Sequence, residues 1–131
     1  MTPTLTHIMC IDDERDILDV ARMCLETVGG YDVTCCDSGA EALRRVAGIM
    51  PDIILLDVMM PEMNGPDTFA ALHQMPEIRR IPVVLMTARI QPSEVKAYMD
   101  LGVAGVIAKP FEAMALAGQV GAIWETYHAN A

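Results

Sequence analysis

The stretch Ile53-Ile54-Leu55-Leu56-Asp57 decides the fold, because a continuous aliphatic run ends at a carboxylate. A short run of this kind is typical of a strand that is covered on both faces, as in a parallel sheet. The strand predicted here, Asp52–Leu56, is the most hydrophobic of the chain and should be central. A carboxylate at the end of a central strand is costly unless it is paired, so Asp57 is a candidate functional residue.

Four further apolar runs repeat this pattern on either side of the central one. The strands predicted from them are His7–Ile11, Tyr31–Cys36, Ile81–Met86 and Ala104–Ala108. Helical periodicity fills the intervals between the strands. The first predicted helix runs from about Glu14 to Val28, the fourth from Pro92 to near Gly102, and the fifth from after Pro110 to about Tyr127. The second begins at the capping-box spacing of Ser38 and Glu41, and the third begins at about Pro66. Five consecutive βα units predict an α/β domain with a doubly wound parallel sheet.

Composition and charge narrow the class of protein further. The chain has 131 residues, 53% of them hydrophobic and only 5% aromatic, which suits one domain with an aliphatic core. We expect a single domain over residues 1–131, with a core of about 6–127 and no output domain. The net charge of −9 argues against nucleic acid as a direct partner, because phosphate backbones select basic surfaces.

The sequence shows neither a membrane segment nor a secretory signal. Its most apolar uncharged stretch, Ala113 to Trp124, is too short to span a bilayer. The start of the chain has no basic segment followed by an apolar run. We therefore expect a cytoplasmic protein. The cysteines lack zinc-ligand spacing and are expected to be reduced, buried thiols; they are Cys10, Cys24, Cys35 and Cys36.

Polar side chains follow four of the five predicted strands. Asp12 and Asp13 follow the first, Asp57 the third, Thr87 the fourth and Lys109 the fifth. Ligands of an open parallel sheet bind beyond the carboxyl ends of its strands, so these side chains should converge. Carboxylates brought together repel unless a cation intervenes, and Mg²⁺ prefers oxygen ligands that include substrate phosphate. The pattern predicts a magnesium site with room for phosphate.

Each of these residues also has an ordinary structural interpretation when taken alone. Asp12 and Asp13 could cap the first helix, Lys109 could be a surface charge, and Thr87 could bond to backbone. Their coincidence at the strand ends favours a site. Within it, Asp57 is suited to attack phosphorus and form an acyl phosphate. The loose transition state of phosphoryl transfer then requires mainly positioning and charge neutralisation.

Four motifs closely resemble those of the response-regulator receiver family. They are Ile11-Asp12-Asp13-Glu14, Leu55-Leu56-Asp57-Val58-Met59-Met60-Pro61-Glu62-Met63-Asn64-Gly65, Met86-Thr87-Ala88 and Ala108-Lys109-Pro110-Phe111. Each motif is weak alone, but the four in this order and spacing are specific. The resemblance covers about Thr6 to Trp124 and implies a flavodoxin-like fold with strand order 2-1-3-4-5.

The resemblance implies a role in two-component signalling. Asp57 would accept a phosphoryl group from the phosphohistidine of a histidine kinase or phosphotransfer protein. Mg²⁺ would be bound by Asp13, Asp57 and the backbone carbonyl of Met59, with Asp12 assisting. Such a receiver catalyses only its own phosphorylation and dephosphorylation and is not otherwise an enzyme.

The resemblance also implies how the signal leaves the site. Lys109 would contact the phosphoryl group, and the Lys109–Pro110 bond can be cis. Thr87 would swing toward the phosphoryl group and move the face formed by the fourth and fifth strands and helices. The recipient would be a downstream protein or a missing effector domain. A homodimer through the apolar stripe of the last helix is one alternative; packing of that stripe on the sheet is the other.

Two positions give this chain its own character. Val106 stands where many receivers have an aromatic residue that moves with the threonine, so we do not expect a threonine–aromatic switch here. Arg89, two residues beyond Thr87, should border the phosphoryl group and alter its lifetime. A solvent-facing arginine is the alternative.

Three other functions compete with a phosphorylated receiver. A flavodoxin-type electron carrier shares the topology, but an acidic loop at Asp12-Asp13-Glu14 would repel a flavin phosphate. A haloacid-dehalogenase-like phosphatase would want a second aspartate where this chain has Met59. A degenerate receiver that binds partners without phosphorylation is the third alternative, and the presence of all the site residues argues against it.

Overall fold

Strands alternate with helices throughout this computed structural model, which describes residues 2–130. The strands are β1 (His7–Ile11), β2 (Asp32–Cys36), β3 (Ile53–Asp57), β4 (Val83–Thr87) and β5 (Gly105–Ala108). The helices are α1 (Arg15–Thr27), α2 (Gly39–Ile49), α3 (Gly65–His73), α4 (Pro92–Leu101) and α5 (Leu116–Ala129). All strand pairs are parallel, and the order across the sheet is β2-β1-β3-β4-β5. The predicted flavodoxin-like fold is confirmed.

Each face of the sheet carries its own aliphatic core. On one face, α1 and α5 cover the sheet with fully buried residues such as Leu25, Leu116 and Val120. On the other face, α2 and α3 contribute Val46 and Leu72. Every residue of β3 and β4 is buried, as expected for strands covered on both sides. The centre of the sheet is therefore a rigid support for whatever follows β3 and β4.

The helix starts follow local hydrogen bonding. The Ser38 hydroxyl accepts the N–H of Glu41 at 3.1 Å, as the capping-box spacing predicts. The Glu41 carboxylate in turn accepts the N–H of Asp37 at 3.0 Å, rather than the N–H of Ser38 that a standard capping box would use. At α3 the cap is the side chain of Asn64, which accepts the N–H of Asp67 at 2.9 Å.

Two predicted boundaries are wrong. Strand β4 begins at Val83 rather than Ile81, because Pro82 has no N–H for a ladder and contributes only its carbonyl, to the N–H of Ile54 at 3.0 Å. Helix α5 begins at Leu116 rather than directly after Pro110. A separate turn precedes it, in which the Glu112 carbonyl accepts the N–H groups of both Ala115 and Leu116. Most other boundaries agree within two residues.

Helix α4 differs from the other helices in its packing. None of its residues, all of which are described, is fully buried. Its side chains Val95 and Tyr98 are half-buried, and Tyr98 packs against the core on the α2–α3 face. By contrast, α5 buries the apolar stripe that includes Val120 and Trp124 against the sheet. The apolar stripe of the last helix is thus part of the core.

Two smaller expectations also concern the fold. Cys10, Cys24 and Cys36 are buried free thiols as predicted, while Cys35 is half-buried. Within the described residues, no helix combines the length and the hydropathy that a membrane crossing needs.

Candidate functional site

The predicted acidic residues converge at the carboxyl edge of the sheet. Asp12 and Asp13 follow β1, and Asp57 is the last residue of β3. One carboxylate oxygen from each lies within 4.8 Å of the other two. Asp12 and Asp57 are each only 4% exposed, while Asp13 is exposed. Three negative charges therefore share a small volume that is closed on the protein side and open at Asp13.

Lys109 connects this cluster to the end of β5. Its Nζ donates to Asp12 Oδ2 at 2.9 Å and to Asp57 Oδ1 at 3.2 Å, and it lies 3.7 Å from Glu14. The peptide bond that follows it, Lys109–Pro110, is cis. The other oxygen of Asp12 accepts the N–H of Glu14 at 2.9 Å. Asp12 is thus held at both oxygens, and its closest cation is the lysine.

The electrostatics of the cluster are unbalanced around Asp57. Burial, followed by the negative charge of Asp12, raises the pKa of Asp57 from its usual 3.8 to about 6, although Lys109 opposes the shift. Burial also disfavours the charged form of Lys109, but its hydrogen bond to Asp12 and the adjacent carboxylates raise its pKa overall. The Lys109 ammonium forms its shorter contact with Asp12, and its interaction with Asp57 does not compensate for the burial of the Asp57 carboxylate.

The donor set fits a hard divalent cation. The three carboxylates and the one ammonium leave two net negative charges at the site. Carboxylate oxygens are the ligands that Mg²⁺ prefers, and one or two of them with a phosphate oxygen are its common protein environment. The raised pKa of Asp57 is the physical sign of the same imbalance, since a nearby cation would lower it again.

Thr87 lies at the same edge, but its hydroxyl is hydrogen bonded to the backbone of Arg89 rather than to the acidic cluster. It ends β4 and is 2% exposed. Its Oγ1 accepts the backbone N–H of Arg89 at 3.0 Å. The Thr87 hydroxyl can still donate a hydrogen bond to an acceptor on the Asp57 side. This bond connects the Thr87 side chain directly to the backbone of Arg89.

The loop between β3 and α3 is pressed against the backbone of Asp57. A Cβ atom on Gly65 would lie 2.5 Å from the Asp57 carbonyl oxygen and 2.8 Å from Val58 Cα, so only glycine fits there. The side chain of Met59 is 75% exposed and points away from the core. Glu62 has a φ of 66°, in the left-handed region that is uncommon for a residue with a side chain. This tight loop positions the end of β3.

Sequence reasoning missed some features of the site. It did not give a role to Gly65, although the quoted motif contains it, nor to Glu14 as a third carboxylate near Lys109. It also did not indicate that Lys109 lies closer to Asp12 than to Asp57. Arg89 is exposed, and Val106 is half-buried on β5.

A surface cleft elsewhere on the molecule is unrelated to this chemistry. Its volume is about 630 Å³, and Pro51, Trp124 and His128 are among the residues that line it. It lies at the amino end of the sheet and includes none of the predicted site residues. We therefore place the candidate site at the acidic cluster.

The fold and the site together define a class, that of flavodoxin-like α/β domains with an acidic cluster at the carboxyl edge of the sheet. Comparison with known proteins agrees. Residues 8–120 match the sequence model of the response regulator receiver domain. The response regulator SaeR of Staphylococcus epidermidis is 36% identical over 107 residues, which are 82% of this chain and 45% of that protein. The SaeR of Staphylococcus aureus matches to the same extent.

Solved structures support the same assignment. The N-terminal domain of a response regulator receiver protein from Methanoculleus marisnigri has a TM-score of 0.74 at 33% identity, covering 91% of this chain and 96% of that one. The chemotaxis protein CheY4 of Vibrio cholerae has a TM-score of 0.84 at 24% identity, with 92% and 99% covered, and this likeness concerns the fold. The chain belongs to the response regulator receiver family. It spans less than half the length of the SaeR proteins.

Proposed function

We propose that this chain is the phosphorylated switch of a two-component system, with Asp57 as the phosphoacceptor. The observation that carries the proposal is the position of Asp57. Its carboxylate is the one member of the acidic cluster that is buried, hydrogen bonded to Lys109 at 3.2 Å and still poorly neutralised. Phosphorylation adds further negative charge at this position, and a cation that joins the site would neutralise both the carboxylates and the phosphoryl oxygens.

In the proposed reaction, an Asp57 carboxylate oxygen attacks the phosphorus of a phosphohistidine. The oxygen–phosphorus bond forms as the phosphorus–nitrogen bond breaks, and the imidazole nitrogen leaves with the electron pair. Lys109 supports this transfer because its Nζ already lies beside Asp57 and can donate to a phosphoryl oxygen. The Thr87 hydroxyl donates a hydrogen bond to another phosphoryl oxygen.

The residues proposed to hold Mg²⁺ are Asp13 and Asp57, with the backbone carbonyl of Met59 and with Asp12 in support. The clustering of the three aspartates supports this assignment. When bound, the ion neutralises charge on the phosphoryl oxygens during transfer. Asp12 contributes differently from Asp13: it is buried and fixed by Lys109 and the N–H of Glu14, so it acts mainly by orienting the lysine.

The proposed output runs from Thr87 into α4. Movement of the Thr87 hydroxyl toward the phosphoryl group would displace the Arg89 backbone that is bonded to it. The displaced segment leads into α4, which has no buried residue to anchor it. The conformation of the face formed by β4, α4, β5 and α5 would change in this way. No aromatic side chain is needed at position 106, where this chain has Val106. The recipient is a protein target or an effector domain, and the donor is a histidine kinase or phosphotransfer protein. We treat residues 1–131 as one receiver domain.

The test is intact-mass analysis after incubation with acetyl phosphate, with and without Mg²⁺. We expect a single phosphoryl adduct that requires Mg²⁺ and is lost in Asp57→Asn. The matched control is Asp52→Asn, which changes the carboxylate at the other end of the same strand and should leave the adduct in place.

The alternative, a degenerate receiver that binds its partners constitutively, predicts a different result. No adduct would form under any condition, including incubation with candidate histidine kinases. An adduct that persists in Asp57→Asn would contradict the proposed acceptor, and one that forms equally well in chelator would contradict the magnesium requirement.

A further inference from the structure

The ammonium of Lys109 has more donors than its hydrogen bonds use. An ammonium group carries three N–H donors. Two of them are used by Asp12 Oδ2 at 2.9 Å and by Asp57 Oδ1 at 3.2 Å. Among the described residues, the third carboxylate that pairs with Nζ is Glu14, whose Oε1 lies 3.7 Å away. This distance is too long for a hydrogen bond but short enough for a strong attraction between the two charges.

The backbone of Glu14 is fixed, whereas its side chain is exposed. Its N–H donates to Asp12 Oδ1 at 2.9 Å, and its carbonyl accepts the N–H of Leu18 at 3.1 Å. Glu14 is the N-cap residue of α1, but its side chain makes no capping hydrogen bond. That side chain is 64% exposed, compared with 14% for Lys109. The carboxylate can therefore rotate away from Nζ without breaking a hydrogen bond at the start of the helix.

We propose that Glu14 is a positioning residue for Lys109, and that it keeps the ammonium on the α1 side of the site until a phosphoryl oxygen arrives. This inference rests on the proposed function, because it concerns the lysine that supports phosphoryl transfer. At rest, the charge of Glu14 attracts Nζ away from Asp57, in keeping with the shorter contact that Nζ makes with Asp12. During transfer, the remaining donor of Lys109 bonds to a phosphoryl oxygen, and the exposed side chain of Glu14 moves aside.

The charge of Glu14 opposes phosphorylation in two ways. It competes with the phosphoryl oxygen for the ammonium, and it repels the negative charge of the phosphodonor. Asp13 is exposed on the same open side of the site, but it is a proposed ligand of Mg²⁺, which would neutralise it. Glu14 lies on the side of the lysine instead. Removing its charge should therefore speed up phosphorylation.

The test compares Glu14→Gln with Asp16→Asn, which makes the same change in net charge two residues further along the chain. Asp16 is exposed in the first turn of α1 and lies outside the ion pairs of Lys109. Phosphorylation by acetyl phosphate in the presence of Mg²⁺ is followed by intact mass, at low salt and in about 1 M salt. At the higher concentration the screening length falls to about 3 Å, so effects of distant charges largely disappear.

We expect Glu14→Gln to be phosphorylated about two- to fivefold faster than the unaltered chain at low salt, as for a partly solvated charge contact. Most of this gain should persist at high salt, because the contact with half-buried Lys109 is close and poorly screened. Asp16→Asn should give a smaller gain that disappears at high salt. A folded Glu14→Gln variant that is no faster than Asp16→Asn would overturn the proposal.

A second measurement does not depend on phosphorylation. The urea midpoint of unfolding in chelator is compared for each substitution in the unaltered chain and in Lys109→Met. Glu14→Gln should raise the midpoint more in Lys109→Met, because there it relieves repulsion without losing an attraction to the lysine. Asp16→Asn should shift the midpoint equally in both backgrounds. If Lys109→Met does not fold, Lys109→Met with Asp12→Asn takes its place, since it removes one negative charge together with the lysine.

The two measurements separate a failure of this inference from a failure of the proposed function. If the unaltered chain is phosphorylated but Glu14 and Lys109 show no coupling in unfolding, only the positioning role is wrong. If the unaltered chain forms no adduct under any condition, the proposed function is wrong and the positioning role fails with it, even if the two residues are coupled. Coupling together with a faster Glu14→Gln variant is the result that we expect.

Discussion

The two ends of β3 each carry an aspartate, and the two carboxylates are in opposite electrostatic states. Asp52, just before the strand, accepts hydrogen bonds from the Thr6 N–H at 3.0 Å, the Thr6 hydroxyl at 2.8 Å and the His7 N–H at 2.9 Å. Partial burial alone would raise its pKa, but these donors hold the pKa of Asp52 below its usual value. At the other end, burial and Asp12 raise the pKa of Asp57 to about 6.

The difference separates a structural carboxylate from a reactive one. The donors around Asp52 are fixed by the fold and favour its charge at no further cost. The groups around Asp57 are mainly other carboxylates and one shared lysine, so its charge is tolerated rather than favoured. A strained electrostatic state of this kind is common at functional sites, because ligand binding can relieve it.

The largest expected effect comes from removing the charge at the reactive end. Asp57→Asn should abolish Mg²⁺-dependent phosphorylation and weaken Mg²⁺ binding at least about tenfold, since a charged ligand is lost. In metal-free protein the same change should raise the free energy of unfolding, because it relieves the repulsion from Asp12. Calorimetric titration with Mg²⁺ and urea unfolding in chelator measure the two effects. A destabilised variant would contradict the comparison.

The two lysines that pair with aspartates sharpen the same contrast. Lys109 and Lys96 each donate to an aspartate at 2.9 Å, but the side chain of Lys109 is 14% exposed and that of Lys96 is 76% exposed. Lys109→Met should lower the free energy of unfolding by about 2 kcal/mol, since it leaves buried carboxylates unpaired. Lys96→Met should change it by about 0.5 kcal/mol or less.

The measurement for the lysine pair is urea unfolding of each variant, with and without Mg²⁺. Added Mg²⁺ should restore more stability to Lys109→Met than to Lys96→Met, because the ion replaces the lost charge only at the carboxyl edge. Equal losses in the two variants would mean that the buried cluster is not electrostatically distinct from the surface.

At the structural end of β3, the expected effect is on stability alone. Asp52→Asn should lower the free energy of unfolding by about 1 kcal/mol, because three donors would meet a neutral acceptor. Phosphorylation of Asp57 should be unaffected. Thermal unfolding and intact-mass analysis on the same preparation measure both properties. Loss of the phosphoryl adduct in this variant would mean that the two ends of the strand are coupled.

The pH dependence of stability should differ in sign between the two ends. Between pH 3.8 and about 6, folded metal-free protein keeps a proton on Asp57 that the unfolded chain has released, so stability from this group falls as pH rises. The lowered pKa of Asp52 acts oppositely: its contribution is present above pH 3.8 and is lost as pH falls below. Urea unfolding in chelator over this range should show a downward slope that Asp57→Asn removes.

The smallest expected effect concerns Arg89, which is exposed beside the reactive end. Arg89→Ala should change the lifetime of the aspartyl phosphate about two- to fivefold, the range of a partly solvated charge contact. Loss of the adduct over time by intact mass provides the measurement, and Arg79→Ala serves as the control. An unchanged lifetime would favour a purely solvent-facing arginine.

Sequence patterns predicted the sheet well because the decisive interactions are local or periodic. The run from Ile53 to Leu56 is fully buried, as its continuous hydrophobicity indicated. The convergence of Asp12, Asp57 and Lys109 followed from one topological rule, since all three end or follow parallel strands.

What the sequence could not indicate depends on contacts distant along the chain. The state of Asp52 is set by Thr6 and His7, which are separated from it by more than forty residues. No periodicity reports which carbonyl an arginine such as Arg45 will reach.

The packing of α4 has a consequence for which conformations the resting protein samples. A helix without a fully buried side chain gives up little apolar contact when it detaches, so its backbone should open at a much lower free energy than α1, whose Leu25 is completely buried. In hydrogen–deuterium exchange, the amides of α4 should then exchange well before those of α1. The resting protein would already sample displaced positions of this helix, and phosphorylation would change how often they occur rather than create them.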